Sequence, residues 1–226
     1  FSTILEVGCF DKPVFRGDGV KYFEVLDRDQ LIERAASIGR TNDSDPPKID
    51  YVNPTGSLEG INEKFEIVYS AHCIEHQFLL VRHLKEVESV LTDDGYCIFT
   101  IPDKRYCFDH FITESTIADV LDAYYNPLNT CHSLKSVIEH RCLTTHNESP
   151  RHWDGDHGTV HLDRISEFIS EWKNNDFVDV HKWQFTPDQF VEIISTLNKL
   201  ELTRLKVNSI YYTLKDSLEF HVILGY

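Results

Sequence analysis

The 226-residue chain carries 22 Lys and Arg against 37 Asp and Glu, a formal net charge of −15, and is 41% hydrophobic and 26% charged. That apolar content suits a full globular core and excludes a disordered chain, while no apolar run approaches the ~20 residues that span a bilayer. The acidic balance argues against a nucleic-acid partner, because phosphate binding rests on clustered Lys and Arg.

The first residues do not resemble a signal peptide. Six cysteines are scattered without a Cys-x-x-Cys pair, which fits free thiols in a reducing, cytoplasmic setting. No methionine occurs, so Phe1 is expected to lie inside a longer protein.

Thr3-Ile4-Leu5-Glu6-Val7-Gly8 is an apolar run ending in glycine and predicts a buried strand. Lys21 to Leu26 predicts a second strand, followed by a helix over Asp29 to Ala36. Asn42 to Lys48, with two prolines, predicts a loop. Ile49-Asp50-Tyr51-Val52 and Phe65 to Ser70 predict a third and a fourth strand. Leu79 to Leu91 places apolar residues at 80, 81, 84, 87, 90 and 91, one face of a helix. Gly95 is expected to close that helix in a left-handed cap, and Tyr96 to Ile101 predicts a fifth strand stopped by Pro102.

From Asp103 to Gln184 the alternation stops, leaving short helical pieces such as Ile165 to Trp172. It resumes at Thr186-Pro187, an N-cap followed by proline at the first helical position. A helix over Asp188 to Leu200 and strands over Leu202 to Ile210 and Leu218 to Leu224 complete the chain. The expected fold is α/β: a Rossmann-like, mostly parallel sheet of seven strands, helices on both faces and an insertion after the fifth strand. Residues 1–102 form the cofactor-binding half, 103–184 an inserted cap and acceptor-binding region, and 185–226 the final helix and strands.

In an open parallel sheet, ligands sit at the carboxyl ends of the strands, near the switch point of strand order. The informative residues are therefore Glu6, Gly8 and Cys9 after the first strand, Glu24 after the second, and Ser70 to His76 after the fourth. Gly8 lets backbone approach a ligand closely. A carboxylate at Glu24, with Asp27 as its rival, can accept hydrogen bonds from both ribose hydroxyls.

These phrases resemble the type 11 class I methyltransferases: Ile4-Leu5-Glu6-Val7-Gly8, Glu24, Phe65 to His76, and Leu91 to Gly95. Ile101-Pro102-Asp103-Lys104-Arg105-Tyr106-Cys107-Phe108-Asp109-His110 is similar to a bacterial subgroup associated with surface-sugar biosynthesis, and Asp179 to Pro187 extends the likeness. The second and third glycines usual after Gly8 are missing, which also disfavours a nicotinamide dehydrogenase. The resemblance implies a last strand running antiparallel and S-adenosylmethionine as cofactor. It implies ribose on Glu24 beside Val25, adenine near Gly56, Ser57 and Leu58, and the methionyl part near Ser70, Ala71 and His72.

The insertion is rich in histidine, holding His152, His157, His161 and His181 among others. No tight ligand spacing singles out a metal site, so none is expected, with metal binding kept as the lesser alternative. Trp153 and Trp183 stand either as a sugar platform or as core. Asp179 and His181, two apart in an extended segment, are expected to converge, the carboxylate fixing the imidazole tautomer. His181 is the leading general base, with His72 and His157 as rivals and Asp103 as a pocket polar group. The expected activity is methyl transfer, to an oxygen of a saccharide or other small polar acceptor. A lipid or quinone-like acceptor and a non-catalytic cofactor-binding module are the alternatives, and a homo-oligomer is compatible with all three.

Overall fold

A computed structural model describes residues 3–40, 45–127, 133–175 and 178–226. The loop expected over Asn42 to Lys48 lies partly outside the described residues. Seven strands form one sheet: β1 (Ile4–Val7), β2 (Val20–Glu24), β3 (Tyr51–Val52), β4 (Phe65–Ala71), β5 (Leu91–Pro102), β6 (Lys206–Tyr211) and β7 (Glu219–Gly225). Their order is β3-β2-β1-β4-β5-β7-β6, and only β7 runs against its neighbours. This is the Rossmann-like, mostly parallel sheet expected, with its antiparallel strand.

The helices follow from the strand order. The helix α1 (Arg28–Ser37) leads outward from β2 to β3, whereas α2 (Leu80–Val90) leads in the opposite direction from β4 to β5. Right-handed crossovers then place them on opposite faces. The strands of the switch point are β1 and β4, adjacent in space, from which the chain moves outward in both directions. The parallel pair β1–β2 needs a long connection, here residues 8–19, which contain no helix.

The remaining helices are α3 (Ile117–Tyr125), α4 (Leu134–Cys142), α5 (Ser149–Trp153), α6 (Ile165–Asn174) and α7 (Pro187–Lys199). The main core joins Leu5, Val68, Cys97 and Phe99 of the sheet to Leu84 and Val87 of α2 and Phe190, Ile193 and Leu197 of α7. Thr186 caps α7 as expected, its side chain accepting from the Gln189 N–H. Within the insertion, α4 and α6 share a smaller core of Val137, Val178 and Val180, against which Trp172 packs. The insertion leaves and returns at one place, where Asp103 bridges Phe185.

Gly95 departs from expectation. The helix ends at Val90, and Gly95 lies inside β5 without a positive φ. A β-carbon there would stand 3.1 Å from the Phe65 carbonyl oxygen, at the point where the β4–β5 register shifts between Phe65 and Ile67. The glycine serves close strand approach rather than a helix cap.

Candidate active site

The residues after β1 and β2 are tied together by their own backbone. Gly8 has φ +74°, and its N–H donates to the Phe23 carbonyl at 3.0 Å. The Phe10 N–H donates to Glu24 Oε1 at 2.6 Å and the Val25 N–H to Oε2 at 3.3 Å. Glu24 is buried, and desolvation raises its pKa against the lowering effect of those two bonds, with Glu6 adding to the rise. A carboxylate has about four acceptor positions, so two remain on Glu24 for hydroxyl donors. Asp27 instead caps α1, its side chain accepting from the Gln30 N–H. Glu6 is also committed, accepting from Val14 and Phe15 N–H at 2.7 and 2.9 Å, and so shapes the 9–15 loop from beneath.

Cys9 is buried, and desolvation raises its thiol pKa, so it is no ready thiolate. Gly56 has φ +74°, and a β-carbon on it would meet Val25 Cγ1 at 3.8 Å, which brings the ends of β2 and β3 together. Ser57 Oγ and the Leu58 N–H both donate to Glu86, and the Leu58 side chain belongs to the core.

After β4, Ser70 Oγ is buried without a hydrogen-bond partner. His72 takes φ +51°, a conformation that side chains other than glycine seldom adopt and that marks functional positions. Its Nε2 stands 2.6 Å from Glu219 Oε2, at the start of β7. Burial lowers the His72 pKa, but the bond to Glu219 and the charges of Glu75 and Glu219 outweigh it and leave the imidazole above its ordinary value. The side chain is 41% exposed, so a ligand can reach it.

Residues 181–184 of the insertion are laid directly onto this turn. Lys182 and Trp183 donate backbone N–H to the Glu75 carbonyl at 2.8 and 3.1 Å. The Trp183 indole N–H donates to the Gln77 carbonyl. Trp183 is therefore core, and the sugar-platform alternative does not hold for it. Trp153 stacks on Tyr106 with centroids 3.7 Å apart.

The expected Asp179–His181 pair does not form. His181 Nδ1 is 2.6 Å from Asp109, while Asp179 lies 3.0 Å from His76 Nδ1 and 3.4 Å from Arg34. Docking of the segment turns the two side chains to different partners, which alternation along a strand does not foresee. Sequence reasoning gives no role to Asp109 or Glu219, and places Glu75 only within the informative Ser70–His76 stretch without assigning it a function. The signal available for Asp109 is its place in the 101–110 phrase, and for Glu75 its place beside a histidine after β4; Glu219 has none.

Asp103 is fully buried, held by Arg105 in a two-pronged ion pair and by the Thr213 hydroxyl. It stands where the insertion leaves the sheet, bridged to Phe185, with its side chain closed off from solvent. His157 stacks on His110 with centroids 3.5 Å apart, its Nδ1 3.0 Å from His152 Nδ1. A groove of about 480 Å³ runs beside α2 and includes Arg82, Lys85 and Tyr124. Glu59 and Glu86 also line it, and Glu86 accepts from Ser57 Oγ and the Leu58 N–H, so it borders the loop after β3.

No family model matches the chain, and neither does any curated protein. Solved structures do. A protein from Rhodobacter sphaeroides described provisionally as a Zn-dependent alcohol dehydrogenase aligns at TM-score 0.52 and 14% identity, covering 99% of this chain and 84% of its own. The CcbJ methyltransferase from Streptomyces caelestis aligns at 0.45 and 12%, covering 100% and 89%. The mitomycin 7-O-methyltransferase MmcR aligns at 0.43 and 10%, covering 99% of this chain, which spans 48% of that protein. The likeness to the Rhodobacter sphaeroides protein is one of fold alone. Among the described residues no helix is long and apolar enough to cross a membrane.

Proposed function

We propose that the chain is an S-adenosylmethionine-dependent methyltransferase acting on a hydroxyl of a small polar acceptor, a saccharide being the leading class. One observation carries the reading: the Glu24 carboxylate stands at the carboxyl end of β2, bonded to the loop that follows the Gly8 turn, beside the β1–β4 switch point. In this reading Glu24 holds the ribose, Val25 and Gly56 border the adenine, and Ser70, Ala71 and His72 border the methionyl end. Glu6, Cys9, Ser57 and Leu58 shape the cradle from behind.

Methyl transfer from a sulfonium is an in-line displacement in which alignment dominates. An oxygen acceptor also gains from a base that takes its proton. His72 is assigned that part, oriented by Glu219, because it combines exposure with a carboxylate partner. His181, at 7% exposure, is too enclosed for an acceptor to reach unaided. His157 lies in a separate histidine group.

Titration calorimetry on the full chain with S-adenosylmethionine, its demethylated product and NAD tests the reading. Heat is expected with the two adenosyl compounds and none with NAD; silence with both overturns it. Transfer of a labelled methyl group to a panel of hydroxylated sugars, lipids and quinones then identifies the acceptor, and separates an enzyme from a binding module.

A further inference from the structure

We infer that Glu75, His76 and His181 bind a divalent transition-metal ion where the insertion docks on the turn after β4. This goes beyond the methyltransferase reading and stands without it.

The turn Ile74–His76 is a single 3-10 segment, and the backbone bonds from Lys182 and Trp183 to Glu75 hold His181 against it. Glu75 is 0% exposed, and both of its carboxylate oxygens lack a hydrogen-bond partner. A carboxylate is so costly to bury unpaired that such groups are neutralised, paired or bound to a metal. His76 Nε2 and His181 Nε2 each stand 3.9 Å from Glu75 Oε1. That is too long for a hydrogen bond. The three ligand atoms lie within 4.8 Å of one another. Bonds of about 2.0–2.2 Å from imidazole and carboxylate to an ion require only a small inward movement of these side chains.

The outer shell has the matching form. His76 Nδ1 is held by Asp179 at 3.0 Å and His181 Nδ1 by Asp109 at 2.6 Å, which leaves both Nε2 atoms directed at Glu75. Metal-binding histidines characteristically donate their second nitrogen to a carboxylate in this way, which sets the tautomer and strengthens the ligand. Two imidazoles and one carboxylate favour zinc, iron, cobalt or manganese over magnesium or calcium, which prefer all-oxygen sites. Three protein ligands leave coordination positions open for water or a ligand oxygen, and the 35% exposure of His76 gives access from solvent.

Two other groups are weaker. In His110, His152 and His157, both nitrogens of His152 are already engaged, with His157 and the His146 carbonyl. In Asp109, His140 and His181, the Asp109–His181 contact is a direct hydrogen bond rather than an open gap.

The test uses the full chain, stripped with a chelator and titrated with Co²⁺ and Zn²⁺. Calorimetry and the visible absorption of Co²⁺ are expected to show a single equivalent bound, with a raised melting temperature. Glu75→Gln and His76→Ala should abolish that binding, and the partly exposed His76 keeps the test valid if Glu75→Gln does not fold. Asp179→Asn should weaken affinity about 10–100-fold, the usual loss of an outer-shell carboxylate, and His157→Ala should change nothing. Absence of binding, as when imidazolium charge alone balances Glu75, overturns the site, and so does full binding in His76→Ala or its loss in His157→Ala.

Discussion

A β-carbon added to Gly8 would stand 2.0 Å from the Cys73 sulfur, so the turn after β1 and the turn after β4 are in contact across the switch point. The Cys73 thiol lies 3.5 Å from the Val7 carbonyl in the same contact. Gly8→Ala is therefore expected to destabilise the fold by more than the ~1–2 kcal/mol that left-handed backbone costs any side chain. Adding Cys73→Ala should recover the steric part and leave only the backbone cost. Urea unfolding of both variants measures this, and an equal loss in the single and double variants would remove the contact as its cause.

Glu24→Ala is expected to weaken S-adenosylmethionine by about 1.5–3 kcal/mol, the scale of hydrogen bonds to a charged group, with the melting temperature nearly unchanged. Asp27→Ala should do the reverse, costing about 1 kcal/mol of stability through the lost cap of α1 and leaving cofactor affinity intact. Calorimetry beside thermal melts separates them. If Asp27→Ala is the variant that loses the cofactor, the ribose ligand is misassigned.

His72→Ala is expected to lower turnover about 10²–10⁴-fold, the usual contribution of a general base, while cofactor affinity stays close to that of the unaltered chain. Glu219→Gln should give a smaller loss, because it disturbs only the orientation of the imidazole. Single-turnover transfer of labelled methyl to the identified acceptor reads both, and a fully active His72→Ala removes the residue from the mechanism.

His83 governs part of the acid stability. It is enclosed in α2 with neither ring nitrogen bonded, and burial lowers its pKa to about 4 from 6.5. The unfolded chain takes up the proton near pH 6.5, whereas the folded chain resists until about pH 4. Stability from this group is thus fully present above pH 6.5 and lost as pH falls toward 4, by roughly 3 kcal/mol in all. His83→Leu should show a shallower loss between pH 7 and pH 4.5 in urea melts. Identical slopes for the variant and the unaltered chain would rule out the residue as the cause.

The sequence by itself determined the order of the strands and of the helices outside the insertion, whereas α3, α4 and α5 were not resolved by it. Runs such as Ile4–Val7 and Phe65–Ala71, the helical face of α2 and the Thr186-Pro187 cap are local patterns, set by side-chain periodicity and capping chemistry within a few residues. From them follow the parallel sheet and the strand ends at Gly8, Glu24 and His72. Only the tertiary structure decided who faces whom. His72 meets Glu219 across 147 residues and His181 meets Asp109 across 72, pairings fixed by the place of β7 beside β5 and by the docking of residues 181–183 on Glu75. Alternation along the strand put Asp179 beside His181, yet docking gave Asp179 to His76 instead. Gly95 likewise marks a helix end by its neighbours in sequence and a close strand approach by its neighbours in space. Local periodicity reports which face a side chain shares, whereas the partner on that face comes from another part of the chain and is known only once the layers are packed.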